Sequence, residues 1–357
     1  MKNTIMIVDD MRINIEILEV SLSDDYTVIS VTSGEGAKKM MLRKKPDLVL
    51  LDLYMPDING FEVLKFMKDK PELASIPVIF VTSEEDSDVE EEGLLLGAVD
   101  YVKKPINSNI VRAKVQNHLE LKTYRDSLEM LVDERTKQLG ASREAIIMGM
   151  SLMTDLHDNV TGDHIDRIKK FTRVLANKVG ELYPDKITPE IIKQTILFSP
   201  LHDVGKIAIS DIILKKPGKL TDEEFIEMQN HTVSGANLLR KTESFFTEAE
   251  HGKELQTAIE IAESHHEKFD GTGYPHRLAG EDIPFPARIV SVADVYDALR
   301  SVRPYKKPFT HEEAVEIITV GDGRTKPSHF DPVVLTAFNA VLHEFDEIFN
   351  TTIPEQE

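Results

Sequence analysis

Residues 46–64 read PDLVLLDLYMPDINGFEVL. An apolar run closes on an acid, a turn built from Pro, Asp, Asn and Gly follows, and helical periodicity begins at Gly60. This is a strand, a turn and a helix, with the strand buried on both faces. Working outward, "TIMIVDD" (4–10), "YTVISV" (26–31), "IPVIFVT" (76–82) and "AVDYVKKP" (98–105) read as further short buried strands. Helical stretches at Arg12–Leu22, Gly34–Arg43 and Gly60–Lys68 lie between them. The alternation predicts an α/β, doubly wound, five-stranded parallel sheet with helices on both faces.

The whole chain has 357 residues, enough for two or three domains with substantial cores. It has no cysteine, which excludes disulfides and thiolate metal sites, so any metal must sit on His, Asp and Glu. A formal charge of −20 opposes unassisted binding to duplex DNA but leaves room for a local basic pocket for a small anion. No apolar run is long enough to span a bilayer, and in "MKNTIMIVDD" acids stand where a signal peptide would continue its apolar core. These features predict a cytoplasmic protein that engages neither DNA nor membrane.

From about Asn107 to Met153 the chain is polar, helix-rich and free of proline. Val132, Leu139, Ile146 and Met153 recur every seven residues, with Leu121 and Leu128 on the same stripe and Arg125, Arg135 and Gly149 interrupting it. The pattern predicts a coiled-coil linker and a homodimer; the alternative is one long helix packing on its own domain. After Met153 strand signals almost vanish. "HIDRIKKFTRVLANKV", "PEIIKQTILFS", "ELQTAIEIAES", "ARIVSVADVYDALRS" and "PVVLTAFNAVLHEF" are all helical in period, so the last region is all-α. The expected division is 1–120, 121–150 and 151–357.

In a doubly wound sheet, ligands bind at the carboxyl ends of the strands. Asp9 and Asp10 follow the first strand, Asp52 ends the third, Thr82 ends the fourth, and Lys104 follows the fifth. Three clustered carboxylates repel one another unless a cation neutralises them, and a hard ion such as Mg²⁺ suits oxygen donors. One carboxylate can then act as a nucleophile towards phosphate, with Thr82 and Lys104 reaching the phosphoryl oxygens. The segments "VDD", "LLDLYMPDINGFEVL", "VTS" and "DYVKKP" resemble a response-regulator receiver domain over about residues 1–120. The resemblance implies that Asp52 is phosphorylated by a cognate sensor histidine kinase. It implies that Asp9, Asp10, Asp52 and the backbone carbonyl of Tyr54 hold Mg²⁺, and that Thr82, Lys104 and the aromatic ring of Tyr101 read the phosphoryl group. The acidic run 84–92, EEDSDVEEE, reads as a solvated helix face, or as a dimer face meeting Arg112 or Lys114 of a second copy.

In the helical region His164, His202, Asp203, His231, His265, His266 and Asp294 follow one another, several inside otherwise apolar segments. Buried polar groups need partners, and a shared pair of divalent ions supplies partners to all of them. The segments "LHDVGKIAISDIILKKPGKLT", "HHEKFDGTGYPHRLAGEDIPFPARIVSVADVYDAL" and "RPYKKP" resemble the HD-GYP family of HD phosphohydrolases, over about residues 150–345. The resemblance implies hydrolysis of cyclic di-GMP at a two-metal centre, with iron or manganese the usual ions. These seven residues would be the ligands, and Asp203 the bridging carboxylate. Lys206 would stabilise charge on the phosphate, with Arg303 and Lys306 as further phosphate contacts. Diguanylate cyclase (GGDEF) proteins are candidate partners on the same ground. Adjacent helical residues point about 100° apart, so His265 and His266 can meet one cluster only near a helix end. The turn "DGTGYP" is expected to end that helix as a lip beside the metals, with Glu267 and Asp270 orienting the histidines or binding the loop.

The chain departs from the family at Val160, four residues before His164, where members with a third metal carry glutamate. Valine cannot ligate, and neither Asp163 nor His157 is a convincing replacement. A two-metal site is therefore expected, with pGpG as main product or as preferred substrate. The alternative is a catalytically weak HD-GYP domain that binds nucleotides or proteins.

Overall fold

A computed structural model describes residues 2–83, 87–158, 163–246, 255–301 and 307–352. Val160, Arg303, Lys306 and residues 84–86 lie outside the described residues. The chain divides into two compact units, Met1–Lys137 and Gln138–Glu357.

The first unit alternates β1 (Thr4–Val8), α1 (Arg12–Leu22), β2 (Thr27–Val31), α2 (Gly34–Arg43), β3 (Leu48–Asp52), α3 (Gly60–Lys68), α4 (Pro71–Ala74), β4 (Val78–Thr82), α5 (Ser87–Leu95) and β5 (Asp100–Lys103). The five strands are parallel in the order β2-β1-β3-β4-β5. Both faces are buried, as the near-continuous apolar runs require, yet each strand still divides its side chains by the period of two. Met6, Val8, Val49, Leu51, Val78 and Phe80 face the side covered by Ala37, Val63, Leu64 and Met67 of α2 and α3. Ile5, Ile7, Leu48, Leu50, Ile79 and Val81 face the other, covered by Leu18 of α1 and by Val111, Val115 and Leu119. The register sets Val8 opposite Leu51, Asp52 opposite Val81, and Thr82 opposite Lys103, so the carboxyl ends of four strands form one rim.

The helix α6 runs from Ser108 to His157, 50 residues, and belongs to the first unit at its start and to the second at its end. It joins the sheet to the helical region. In the second unit follow α7 (Asp163–Leu182), α8 (Pro189–Phe198), α9 (Asp211–Leu214), α10 (Asp222–Glu243), α11 (Gln256–Ser264), α12 (Phe285–Arg300), α13 (His311–Thr319), α14 (Pro332–Asn339) and α15 (Leu342–Thr352). Phe171 of α7 stacks on Phe345 of α15 at 4.6 Å and meets the edge of Tyr296 of α12, at the centre of the larger core. The segment 332–345, uniformly helical in period, is two helices: the backbone breaks at Ala340, and Val341 enters the core.

Between α8 and α9 the chain makes two short 3-10 turns, Ser199–Leu201 and Val204–Ala208, with His202 and Asp203 between them. The second turn presses directly on α10. A Cβ on Gly205 would lie 1.9 Å from the carbonyl oxygen of His231, so only glycine allows this approach. The helix α10 is fixed at its start by a reciprocal cap between Thr221 and Glu224. The contact at Gly205 therefore brings His202 and Asp203 against His231.

Candidate metal centre and strand-end acidic site

Four histidines enter the centre with one ring nitrogen already committed. Nδ1 of His202 lies 3.0 Å from the Ser199 carbonyl, that of His231 2.7 Å from Met228, and that of His265 3.1 Å from Ile261. A carbonyl only accepts, so each Nδ1 carries a proton and each Nε2 is left for the centre. His164 is fixed in the same way by a carboxylate, donating from Nδ1 to Asp297 Oδ2 at 2.7 Å, while Arg167 grips Asp297 with two nitrogens. The Nε2 atoms of His202, His231 and His265 and Oδ1 of Asp203 are buried with no hydrogen-bond partner among the described residues. Four such atoms, three ring nitrogens and a carboxylate oxygen, converge on one place, a donor set that fits a cation.

Asp203 has two distinct sides. Its Oδ1 lies 3.3 Å from His231 Nε2 and 3.7 Å from His265 Nε2. Its Oδ2 lies 3.3 Å from His202 Nε2 and 2.9 Å from Lys206 Nζ. Two groups able to hold a metal ion share this residue: Asp203, His231, His265 and His266 form one, and His164, His202 and Asp203 the other, each with donor atoms within 4.8 Å of one another. Asp294 stands beside the second group, its Oδ1 3.8 Å from His202 Nε2.

The electrostatics follow from this crowding. Burial disfavours charge on His202, but Asp203 and Asp294 outweigh it and push its pKa up to about 9. Burial would also raise Asp203, yet Lys206 and His202 hold it well below the usual carboxylate range. Burial, reinforced by His265 and His231, holds His266 well below the ordinary imidazole value. Lys206 resists the effect of its own burial because Asp203 and Asp158 flank it, Asp158 at 2.8 Å.

The paired histidines lie at a helix end. The helix α11 stops at Ser264, His265 caps it, and the rings of His265 and His266 come within 4.0 Å. The following turn folds back over them. Gly273 sits so close that a Cβ would fall 2.5 Å from Glu267 Cα and 2.6 Å from the His266 carbonyl. The ring of Tyr274 then packs 4.8 Å from that of His266. Glu267 binds the loop, accepting from the backbone N–H groups of His276 and Leu278, and Asp270 accepts from Thr272 and Ser328.

Three acids in this centre escaped sequence reasoning: Asp155 and Asp158 near the end of α6, and Asp297. Each had a faint signal in its spacing of three residues from a neighbouring aspartate, Asp155 from Asp158 and Asp297 from Asp294, which places both members on one helix face.

In the first unit the strand-end rim carries Asp9, Asp10 and Asp52 with carboxylate oxygens within 4.8 Å, a group able to hold a cation. Lys104 Nζ reaches Asp52 at 3.0 Å and Asp9 at 3.2 Å. Asp9 is oriented by the Met11 N–H and the Asn14 amide. Burial pushes the Asp52 carboxyl above its usual range and Asp9 adds to this, against the pull of Lys104. The Thr82 hydroxyl is buried with no hydrogen-bond partner among the described residues, on the strand neighbouring Asp52. Lys103 and Lys114 lie over the Tyr101 ring, at 5.7 and 4.9 Å.

Comparison with known proteins finds two domains in the chain. The response regulator receiver domain matches residues 5–116, and an HD domain matches residues 158–334. A probable cyclic di-GMP phosphodiesterase of Vibrio cholerae is 40% identical over 97% of this chain and 79% of its own length. The cyclic di-GMP phosphodiesterase response regulator RpfG of Xanthomonas campestris pv. campestris is 34% identical over 80% of this chain and 73% of its own. A cyclic di-GMP phosphodiesterase of Thermotoga maritima is 32% identical, with 97% and 92% covered. On these matches, the chain belongs to the response regulators that carry a receiver domain followed by an HD domain, in the cyclic di-GMP phosphodiesterase family.

Proposed function

We propose that this protein hydrolyses cyclic di-GMP in its HD domain, to pGpG, to GMP or to both, under the control of phosphorylation at Asp52 by a sensor histidine kinase. The observation that carries the reading is the two-sided placement of Asp203, one oxygen towards His231 and His265 and the other towards His202. A carboxylate so placed could serve as a ligand to two cations at once. His164 and His202 would hold one, with Asp294 at its edge, and His231, His265 and His266 the other. When bound, such ions ionise a water at neutral pH and neutralise charge on the phosphodiester.

The chain's own groups do the rest. The Nδ1 anchors of His164, His202, His231 and His265 aim each Nε2 into the centre, and the proton that the raised pKa of His202 retains would leave when an ion binds there. Lys206, held between Asp158 and Asp203, keeps its ammonium beside the place where phosphate charge develops. Arg303 and Lys306 are assigned the outer phosphate contacts from sequence. The Tyr274 ring over His266 covers the centre and restricts water.

In the first unit Asp9, Asp10 and Asp52, with the carbonyl of Tyr54, would hold Mg²⁺, and Asp52 would accept the phosphoryl group. Lys104 and Thr82 would pair its oxygens, and the Tyr101 ring would report the change. The chain is assigned to the cytoplasm; no helix among the described residues is long and apolar enough to cross a membrane. A homodimer through α6 and an association with GGDEF proteins complete the reading.

The test is turnover of cyclic di-GMP by the full chain loaded with Mn²⁺ or Fe²⁺, beside a chelated sample. Metal-dependent release of pGpG or GMP supports the reading. Binding of the nucleotide without turnover at any metal load would leave a binding module instead.

A further inference from the structure

Asp155 is 4% exposed, and its Oδ2 has no hydrogen-bond partner among the described residues. It lies one helical turn before Asp158 in α6. Asp158 on the same helix face meets Lys206 Nζ at 2.8 Å, and Lys206 meets Asp203 at 2.9 Å, so this buried end of α6 abuts the Lys206–Asp203 pair. Lys206 is already shared between these two carboxylates. A carboxylate this deeply buried is costly unless a positive charge pairs with it. Nearby His157 is engaged elsewhere: its Nε2 sits 2.9 Å from Asp211.

We propose that Asp155 is a carboxylate of the metal centre, serving the cation held by His164, His202 and Asp203. The inference rests on the two-metal reading above and revises its ligand set. It widens the chemical difference between the two ion positions. One has three imidazoles and a shared carboxylate; the other has two imidazoles and, with Asp155, the carboxylates of Asp203 and Asp294, a set richer in oxygen and better suited to Mn²⁺ or Mg²⁺.

The test is Mn²⁺ binding to the metal-stripped full chain, with free Mn²⁺ counted by electron paramagnetic resonance. Wild type is compared with Asp155→Asn, Asp155→Glu, His164→Ala and the Asp155→Asn/His164→Ala double variant. Wild type is expected to bind two ions. Asp155→Asn should weaken one of them by about 10–100-fold and leave the other unchanged. Asp155→Glu should recover part of the loss, and the double variant should bind no worse than His164→Ala. If wild type binds two ions and Asp155→Asn binds both with unchanged affinity, this inference fails alone. If wild type binds none, the metal reading of the function fails with it. Should Asp155→Asn not fold, Asp155→Glu carries the test: a change confined to one ion supports the inference, and unchanged affinity at both overturns it.

Discussion

Asp203 sits where no other side chain can stand in for it, one oxygen towards each half of the cluster and Lys206 on its flank. Asp203→Ala should remove several kcal/mol of charge stabilisation, so kcat/KM for cyclic di-GMP falls by about a thousandfold or more in the Mn²⁺-loaded enzyme. A residual rate within tenfold of wild type would refute the bridging role. Asp52 makes a second prediction, with a definite sign. Its folded pKa is raised, so its neutral form is favoured by folding; that contribution is present at low pH and lost as pH rises through the folded pKa. Asp52→Asn should therefore raise the melting temperature of the Mg²⁺-free protein at pH 7, with the gain shrinking at acid pH below the ordinary aspartate pKa and in the presence of Mg²⁺. The histidines and Asp203 were legible from sequence because paired imidazoles and a His-Asp dipeptide in apolar surroundings have few other uses. Asp297 and Asp158 were not, because their partners are 133 and 48 residues away in the chain, and only the fold brings them together.

At the scale of elements, the strands and the first three helices were legible because each carries its own period. The expected strands ran one or two residues too long at an end, as where Asp9, Asp10, Lys104 and Pro105 leave the ladder for the rim. The 3-10 turns around His202 were not foreseen, since a stretch of three to five residues has no period to read. Their packing on α10 depends on Gly205. Gly205→Ala places a methyl group against the His231 carbonyl and should cost about 1–3 kcal/mol, lowering the melting temperature by several degrees. An unchanged melting curve would show that the turn can retreat. The stripe foreseen on α6 has a distinct place: Leu121, Leu128, Val132, Leu139, Ile146 and Met153 are all exposed, Leu139 by 72%. If they meet a second copy, Leu128→Lys with Leu139→Lys should convert a dimer into a monomer, read by analytical ultracentrifugation. A dimer that survives both changes has its interface elsewhere.

For the whole molecule, the division into a sheet unit and a helical unit was legible in the loss of period-two segments after Pro105. A 50-residue helix common to both was not, because the sequence from Asn107 onwards shows a stripe and gives no sign of where one body ends. If the receiver controls the HD domain, as proposed, a phosphoryl mimic such as beryllofluoride should change the rate of cyclic di-GMP hydrolysis in wild type and not in Asp52→Asn. Equal rates with and without it in wild type would uncouple the two units. The same long helix has a further consequence. Residues 127–146 are exposed without a break, so there the helix rests largely on its own backbone bonds and on surface pairs such as Asp133–Lys137 at 2.7 Å. Helices of that kind are marginal in water. On dilution, this stretch should become the place where a protease first nicks the chain, and crowding the solution with more of the protein should close it again.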